Sequence, residues 1–549
     1  MILLGAGYLA ALAEEALPLT TQETGMHCVL RRIIVSLVCA IALAALSAHA
    51  KTFRFAAQGD VVSMDPHMLN EGFQINFLGN MYEGLVGRGK KLGTEPRLAT
   101  DWKQTSPTVW RFNLRRDVKF QDGTPFSADD VIFSLERARG SDVKLYVGAI
   151  QEIRRVDAYA VDIVTHEPFP ILPGTLTVWY MMSKTWCEKN NAARPVDVRK
   201  GTGNYASAHA NGTGPFMLKS REPGVRTVLV PNPNWWSKPE HNVTEAAFTP
   251  IANDATRAAA LISGEIDMIE PVPLQDLPRI QASPDLKILQ AMEARTIFLG
   301  MDQKRDELLF SNVKGKNPFK DKRVRQAFYQ AIDIDAIKSR IMRGTSAPTA
   351  LMVSPMVNGY AAELDKRLPY DPDGAKKLLA QAGYADGFEL GMNCPNDRYV
   401  NDAEICQAVA AMLARVGVKI NLVAETKALY FSRIARRDTS FYMLGWLPSS
   451  LDSHYTLFAL MASPGEGGQG QYNLGGYFNP RLDEIIHKIA SENSVPQRQS
   501  MIAEALRIHA EDIGHLPLHQ QPLVWGMRKS VDMVQPATNA IVLKWVTVK

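Results

Sequence analysis

The order of apolar and polar residues along this chain predicts a mixture of helices and strands. In the second half, apolar residues recur three and four positions apart, which is the spacing of a helix with one buried face. Between these segments lie short apolar runs that are typical of buried strands. The predicted helices are 324–332, 375–382, 403–416, 482–490 and 497–511, and the predicted strands are 388–392, 419–423 and 441–444. This alternation predicts an α/β lobe.

The first half begins with the same kinds of pattern. Residues 52–56 alternate as a strand, a loop follows, and residues 70–85 have a more helical pattern. Residues 190–214 are rich in Gly, Asn, Ala and Thr with little apolar periodicity. We interpret this segment as a crossover between lobes or a surface insertion.

Two further helices carry recognisable end signals. Ser127 is a plausible N-cap, and Asp130 stands three residues later as its capping-box partner. A helix predicted at 255–262 is followed by Gly264, the residue type that most readily ends a helix in the left-handed conformation. A strand is then predicted at 265–269, so another βα unit is expected.

The longest apolar stretch lies near the N-terminus. Two arginines precede the largely apolar 14-residue run 33–46, and Ala48-His49-Ala50 then offers small residues at the positions that a signal peptidase reads. We therefore expect residues 26–50 to be a secretory signal peptide, cleaved after Ala50. Residues 1–25 are interpreted as a non-native extension before a start at Met26. A membrane span needs about 20 apolar residues, so the run is too short.

Composition matters mainly for what it excludes. The 549 residues are 46% hydrophobic and 21% charged, and 61 Lys and Arg against 57 Asp and Glu give a formal net charge of +4. One hydrophobic core seldom grows beyond about 250–300 residues, so two or three packed lobes are expected. The sequence contains no long basic run interleaved with aromatic residues, so nucleic acid is not an expected partner.

Three cysteines remain after cleavage of the predicted signal peptide, namely Cys187, Cys394 and Cys406. In an oxidising compartment two of them can pair. We expect a disulfide between Cys394 and Cys406, which would tie a short loop to the start of the helix 403–416. The alternative is three buried, reduced thiols. A metal site is not expected, because the three cysteines have no paired CxxC spacing.

The sequence carries no motif of a known catalytic centre. It has no nucleophile elbow, Walker loop, HExxH zinc motif or dinucleotide fingerprint. His515 and His519 are four residues apart and would share one face of a strand. A third metal ligand is not evident nearby, so an ordinary strand is expected there. We therefore predict a protein that is not an enzyme and uses no cofactor.

Several segments of the chain resemble one known family. Residues 111–138, RFNLRRDVKFQDGTPFSADDVIFSLERA, closely resemble the signature of the family 5 extracellular solute-binding proteins, the dipeptide, oligopeptide and nickel receptors of ABC importers. Further matches are MDPH at 64–67, GTGPF at 212–216, NPNWW at 232–236, SGEIDM at 263–268, VRQAFYQAID at 324–333 and YFNPRLDEII at 477–486. One such motif is weak evidence, but the ordered set is specific.

The resemblance implies a fold and a function. The fold is that of a type II periplasmic-binding protein of cluster C, with two α/β lobes, an extra domain and a hinge of two crossing strands. Lobe I would comprise residues 51–95, 214–300 and 515–549, the extra domain II residues 96–213, and lobe III residues 301–514. The implied function is that of a monomeric periplasmic receptor that captures a peptide or related small solute and delivers it to an ABC permease in the inner membrane.

The resemblance also implies candidate ligand-binding residues. In the peptide receptors of the family, an aspartate three residues after the Trp of a GW motif pairs with the amino terminus of the ligand. Here Trp446 is that Trp, and Ser449 stands in place of the aspartate. A serine cannot neutralise a buried ammonium, so Asp452 is the alternative anchor. Arg398 and Tyr399 lie in a loop that faces the cleft in the family, where Arg398 offers a bidentate contact to a carboxylate or phosphate; a solvated surface is the alternative.

On lobe I, Gln58, Asp60 and Ser63 are expected to enclose the ligand from the opposite side. Because Ser449 replaces the amine anchor, a non-peptide ligand such as an opine, an oligosaccharide, a modified amino acid or a metal chelate is nearly as well supported as a peptide. The rivals from other classes are a secreted hydrolase with an acidic pair in the cleft and a sensory or chaperone role on the same scaffold.

Overall fold

The structure is a computed structural model and describes residues 51–197 and 201–549. The predicted signal peptide and the segment before it therefore lie outside the described residues, as do residues 198–200 of the predicted crossover. Residues Lys51–Lys549 form one compact unit. In the described part of the chain, no helix is both long and apolar enough to cross a membrane.

The strands are spread over the whole described chain, and most of them are short. In chain order they are β1 Thr52–Ala57, β2 Val86–Arg88, β3 Thr94–Pro96, β4 Ala99–Ser106, β5 Val109–Leu114, β6 Ile150–Asp157, β7 Ala160–Thr165, β8 Phe216–Glu222, β9 Arg226–Pro231, β10 Glu245–Pro250, β11 Met268–Glu270, β12 Leu286–Met301, β13 Ala347–Pro348, β14 Phe388–Pro395, β15 Val418–Glu425, β16 Phe441–Trp446, β17 Leu516–Arg528, β18 Val531–Asp532 and β19 Thr547–Val548.

The longer α-helices lie mainly in the second half. In chain order the α-helices are α1 Gly72–Leu78, α2 Ala128–Arg139, α3 Leu172–Thr175, α4 Lys184–Lys189, α5 Tyr205–Ala208, α6 Asp254–Ser263, α7 Leu277–Gln281, α8 Lys322–Ala331, α9 Ile334–Ala336, α10 Pro372–Gln381, α11 Asp402–Ala414, α12 Lys427–Ala435, α13 Ser453–Thr456, α14 Pro480–Ser491 and α15 Val495–Asp512.

One eleven-stranded sheet runs through both lobes in the order β15-β14-β16-β12-β17-β11-β1-β10-β9-β8, with β13 paired to β17. Its two longest strands, β12 and β17, are antiparallel neighbours at the middle of this order. On one side β12 pairs with β16 of lobe III, and on the other β17 pairs with β11 of lobe I. The two strands therefore join the lobes, as a hinge of two crossing strands requires. The predicted fold class is confirmed, whereas the predicted domain boundaries stay a prediction.

The extra domain contains a separate antiparallel sheet in the order β4-β5-β7-β6. Helix α2 follows this sheet's first hairpin in the chain and begins with the predicted capping box. The backbone N–H of Ser127 donates to the Asp130 carboxylate over 2.9 Å, and the Ser127 side chain accepts from the first turn of the helix. These bonds satisfy backbone donors that the start of a helix otherwise leaves free.

The helices and strands predicted in the second half are present, with ends shifted by a few residues. In the first half, α6 ends where predicted, at Gly264 with φ +84°. Of the more helical stretch predicted at 70–85, only α1, Gly72–Leu78, is helical. A Cβ at Gly79, which follows α1, would lie 2.5 Å from the Tyr180 hydroxyl.

Candidate functional site

A cavity of about 200 Å³ lies between the lobes. Its walls are built from segment 70–89 and the C-terminal segment 536–545 of lobe I, and from segments 398–399 and 444–455 of lobe III. Tyr146 and Tyr180 of the extra domain also contribute to the lining. A cavity enclosed between two lobes is the usual place for a small ligand.

Trp446 and Trp545 both line this cavity, and Trp446 is the one that sequence reasoning predicted. It ends strand β16, where it pairs with Thr296 of the central strand β12, and only 7% of it is exposed. Its ring stacks on Tyr455 with 5.5 Å between centroids and lies 5.0 Å from Tyr472. Its indole Nε1–H is buried and meets no acceptor within the described residues. A ligand acceptor would satisfy this donor.

Arg398 and Tyr399 line the same cavity, on the loop between β14 and α11. The backbone N–H groups of both residues donate to the Asp402 carboxylate over 2.9 Å, which holds the loop in shape. The Arg398 guanidinium forms an ion pair with Glu71 across the lobes at 2.5 Å, and lies 4.9 Å from the centre of the Tyr399 ring.

Glu71 occupies the N-cap of α1, where its carboxylate accepts from the N–H groups of Phe73 and Gln74. Burial alone would raise the pKa of this carboxyl. The positive charges of Arg398 and Lys427, together with the two backbone donors, outweigh burial and lower the pKa of Glu71 to about 2. Glu71 is therefore ionised at neutral pH and already neutralised by Arg398.

Gly72 leaves room for two guanidinium groups. A Cβ on Gly72 would lie 3.0 Å from Nη2 of Arg295 and 3.4 Å from Nη2 of Arg398. Arg295 comes from β12, pairs with Glu293 over 3.0 Å and donates to the Gly445 carbonyl. Arg398 of lobe III and Arg295 of the hinge strand β12 therefore both reach the start of α1.

The loop that carries Arg398 is closed by a disulfide between Cys394, in strand β14, and Cys406, in helix α11, whose Cα atoms lie 6.6 Å apart. Cys187 is a buried free thiol. The bond joins the end of a strand to a helix, so it limits how far the loop between them can move.

Ser449 lines the cavity, whereas the three residues predicted on lobe I do not. Gln58 donates to the Tyr399 carbonyl over 3.2 Å and borders a smaller polar cavity behind Arg398. Asp60 is bound by Arg221 and by the N–H of Gly224. Ser63 is fully buried and accepts from a neighbouring backbone N–H. These polar side chains organise lobe I, and only Gln58 reaches across to the other lobe.

Asp452 also lies away from the cavity lining. Its two oxygens accept from Arg498 over 2.8 and 2.6 Å in a buried ion pair, and further bonds come from Asn358 and the N–H of His454. With four hydrogen bonds and a paired charge, this carboxylate has no capacity left for a ligand ammonium. We therefore do not propose Asp452 as an amine anchor.

Sequence reasoning did not identify several residues of the site, namely Glu71, Gly72, Arg88, Arg295, Tyr455 and Tyr472. Glu71 caps a short helix, but glutamate is not one of the usual N-cap residues, so the sequence did not indicate this role. Nothing local distinguishes the others from scaffold residues, because their positions depend on the meeting of distant segments.

The histidine pair His515 and His519 is part of the core. His515 shares a hydrogen bond of 2.9 Å with His509, and burial lowers the pKa of His519 to about 3. Within residues 51–197 and 201–549, no group of three or more His, Cys, Asp or Glu side chains is arranged to hold a metal ion.

The chain has relatives along most of its length. It is 24% identical over 511 residues to the glutathione-binding protein GsiB of Shigella flexneri serotype 5b, which covers 91% of this chain and 95% of the relative. Among solved structures, it resembles the periplasmic binding protein DppA of Helicobacter pylori in complex with the peptide STSA, with a TM-score of 0.80, 23% identity, and coverage of 90% of this chain and 98% of that one. It also resembles AgaA of A. tumefaciens R10 in complex with agropinic acid, with a TM-score of 0.80, 20% identity, and coverage of 91% and 99%.

The two solved structures share the fold of this chain. The family model of the bacterial extracellular solute-binding proteins, family 5, matches residues 93–468, more than half of the chain. The resemblance seen in the motifs is thereby confirmed. This protein belongs to the bacterial extracellular solute-binding proteins, family 5.

Proposed function

We propose that this protein is the solute receptor of an ABC importer and captures its ligand in the cavity between lobes I and III. The observation that carries the proposal is the enclosure of one cavity by side chains of both lobes, with the ion pair of Glu71 and Arg398 crossing between them. The names of similar proteins support a solute receptor, because they include a glutathione-binding protein and binding proteins in complex with a peptide and with agropinic acid. A peptide or a related small acid is the proposed class of solute.

Each candidate residue has a proposed task. Trp446 and Tyr455 offer flat faces for stacking, and Arg398 and Arg295 provide guanidinium donors for a carboxylate. Ligand that touches both lobes stabilises the closed state relative to the open one, because only the closed state makes all of these contacts. The closed form is then the one that the membrane permease receives.

The rival solute is not a peptide at all. Ser449 carries no charge, and the Asp452 carboxylate is taken up by Arg498. A peptide with a free amino terminus would therefore lack the carboxylate partner that a buried ammonium requires. This observation favours a solute without a free ammonium group, such as an oligosaccharide or an opine or amino acid whose nitrogen is acylated.

We propose that binding, not catalysis, is the activity of the cavity. Its two acidic side chains have structural partners: Glu71 pairs with Arg398, and Glu83 accepts from the indole of Trp236 over 2.8 Å. A hydrolase of the acidic-pair type needs one carboxyl group to act as acid and a second as base or nucleophile. These partners give both glutamates a structural role, which supports binding as the activity of the cavity.

The first test is native mass spectrometry of protein purified gently from periplasm, followed by denaturation to release and identify bound solute. We expect a mature chain that begins at Lys51 and carries a small solute. Trp446→Ala should lose most of this solute because it removes the stacking face. Phe478→Ala, which alters an exposed side chain (68% exposed) outside the cavity, should retain it.

Either of two outcomes would contradict the proposal. Unchanged affinity of the Trp446→Ala variant for the released solute would remove Trp446 from the site. A chain that retained residues 1–50 in the cell would overturn the proposed secretion and cleavage.

A further inference from the structure

Arg88 lines the cavity and meets no counter-charge among the described residues. It ends strand β2 and lines the cavity beside Ser449. Its guanidinium donates to the backbone carbonyls of Leu92 and Ser449, each over 3.0 Å. Among the described residues, no carboxylate forms an ion pair with Arg88, and its buried Nε–H has no acceptor.

The charge on Arg88 persists at neutral pH. Burial lowers the pKa of its guanidinium to about 10, which still leaves it protonated at pH 7. Arg88 is half-buried, and a cation held by backbone carbonyls alone retains part of the cost of its lost hydration. An anionic group of the ligand would offset that cost, and a second cation would increase it.

The hydrogen-bonding groups around Arg88 also favour an anionic ligand group over a cationic one. The buried donors without an acceptor in the described lining include Arg88 Nε–H and Trp446 Nε1–H. In the described lining, Glu71 is neutralised by Arg398, whereas Glu83 accepts from neutral groups, Trp236 and Thr213 among them. Beside Arg88, an incoming carboxylate therefore finds a positive charge and free donors.

We propose that the end of the cavity at Arg88 binds a carboxylate of the solute and discriminates against an ammonium at that place. The solute is then a small acid with a carboxylate at this end. This inference rests on the proposed function, because it assigns a chemical group to the same cavity. Arg88 is a specificity-determining residue on this assignment.

The test uses three matched ligands and calorimetric titration of ligand-free protein. They are S-methyl glutathione, its analogue without the glutamyl amine (S-methyl glutaryl-cysteinyl-glycine), and its analogue without the glutamyl carboxylate (S-methyl 4-aminobutyryl-cysteinyl-glycine). The S-methyl group prevents thiol exchange with the protein's disulfide. For wild type, the analogue without the amine should bind at least about tenfold more tightly than the analogue without the carboxylate, the usual size of a charge-assisted hydrogen bond.

Three variants separate recognition from folding. Arg88→Met should reduce the difference between the two analogues to less than about threefold, since the charge and all donors are gone. Arg88→Lys keeps the charge without the Nε donor and should give an intermediate difference. Arg154→Met removes the same charge from an exposed position on the extra domain and should behave as wild type. Thermal unfolding of each variant checks that it is folded.

The proposal is overturned if the analogue without the carboxylate binds as tightly as the one without the amine, if Arg88→Met preserves the difference, or if none of the three ligands binds. The proposed import function survives each of these results as long as the solute released from wild-type protein still depends on Trp446 for binding.

Discussion

At the scale of single residues, a buried ion pair explains the role of the aspartate in the MDPH motif at 64–67. Asp65 of MDPH pairs with Arg137 of α2, and both side chains are completely buried. The carboxylate accepts from the guanidinium over 2.8 and 2.5 Å. This pair connects lobe I to the extra domain and lies outside the ligand cavity. Such a motif residue maintains the scaffold.

Removal of one member of this pair should be costly. Asp65→Asn leaves the Arg137 charge buried without its partner, and we expect a loss of about 3–5 kcal/mol in the free energy of unfolding. Urea unfolding followed by circular dichroism measures it. Asp129→Asn on the same helix removes only a surface contact with Arg155 and should cost less than about 1 kcal/mol. Equal losses in the two variants would contradict a structural role for the buried pair.

At the scale of elements, two short segments are held in place by contacts outside helices and sheets: a close backbone contact and a disulfide. The GTGPF turn packs backbone against backbone: a Cβ on Gly214 would lie only 2.6 Å from the carbonyl carbon of Met81. Glycine is required there for close approach, not for an unusual φ. In lobe III, the disulfide between Cys394 and Cys406 holds the loop of Arg398.

The disulfide should contribute to both stability and binding. The double variant Cys394→Ser/Cys406→Ser frees a loop with a sequence separation of 12, and closure of such a loop is worth about 3 kcal/mol in the chain-entropy model. We expect a lower free energy of unfolding and weaker solute binding, because the loop that carries Arg398 must then be ordered by the ligand. Cys187→Ala, in the extra domain, is the control and should leave affinity unchanged. Unaltered affinity in the double variant would show that the loop is ordered without the bond.

At the scale of the whole molecule, the lobes and the extra domain share a hydrophobic core and are also joined by polar contacts. Glu71 pairs with Arg398, and Gln58 donates to the carbonyl of Tyr399. The extra domain also touches lobe III, where Asp142 accepts from Tyr472 over 3.1 Å. The pair of Glu71 and Arg398 depends on charge, so conditions that discharge it favour opening.

Acid should weaken the contact between Glu71 and Arg398. The pKa of Glu71 is depressed from an ordinary 4.5 to about 2. Its stabilisation is therefore complete above about pH 4.5 and is lost as the pH falls toward 2, a contribution of about 3 kcal/mol. In Glu71→Gln, the free energy of unfolding should be lower at pH 7 and should change less between pH 5 and pH 2.5 than in wild type. Glu95→Gln, an exposed acid in the same lobe, is the control. An identical pH dependence in Glu71→Gln and wild type would contradict the pairing.

Local patterns were sufficient for most elements. The capping box at Ser127 and the Gly264 stop depend on neighbours within a few residues, and both are present in the structure. The more helical stretch predicted at 70–85 was only partly correct, because helix α1 covers Gly72–Leu78 alone. Gly79, the residue that follows it, packs closely against the hydroxyl of Tyr180 in the extra domain. Apolar periodicity indicates which face of a helix is buried, but it does not indicate which residues pack against that face.

The sequence by itself determined the α/β class, the family and the place of Trp446, Arg398, Tyr399 and Ser449 beside a cleft. The tertiary structure alone decided how the charges are distributed among them. It assigned Asp452 to Arg498 and Glu71 to Arg398, and within the part of the chain that the structure describes it gave Arg88 no carboxylate partner. The physical reason is that local order depends on residues a few positions apart, whereas the partner of a charged side chain is whichever group the folded chain brings within hydrogen-bond distance.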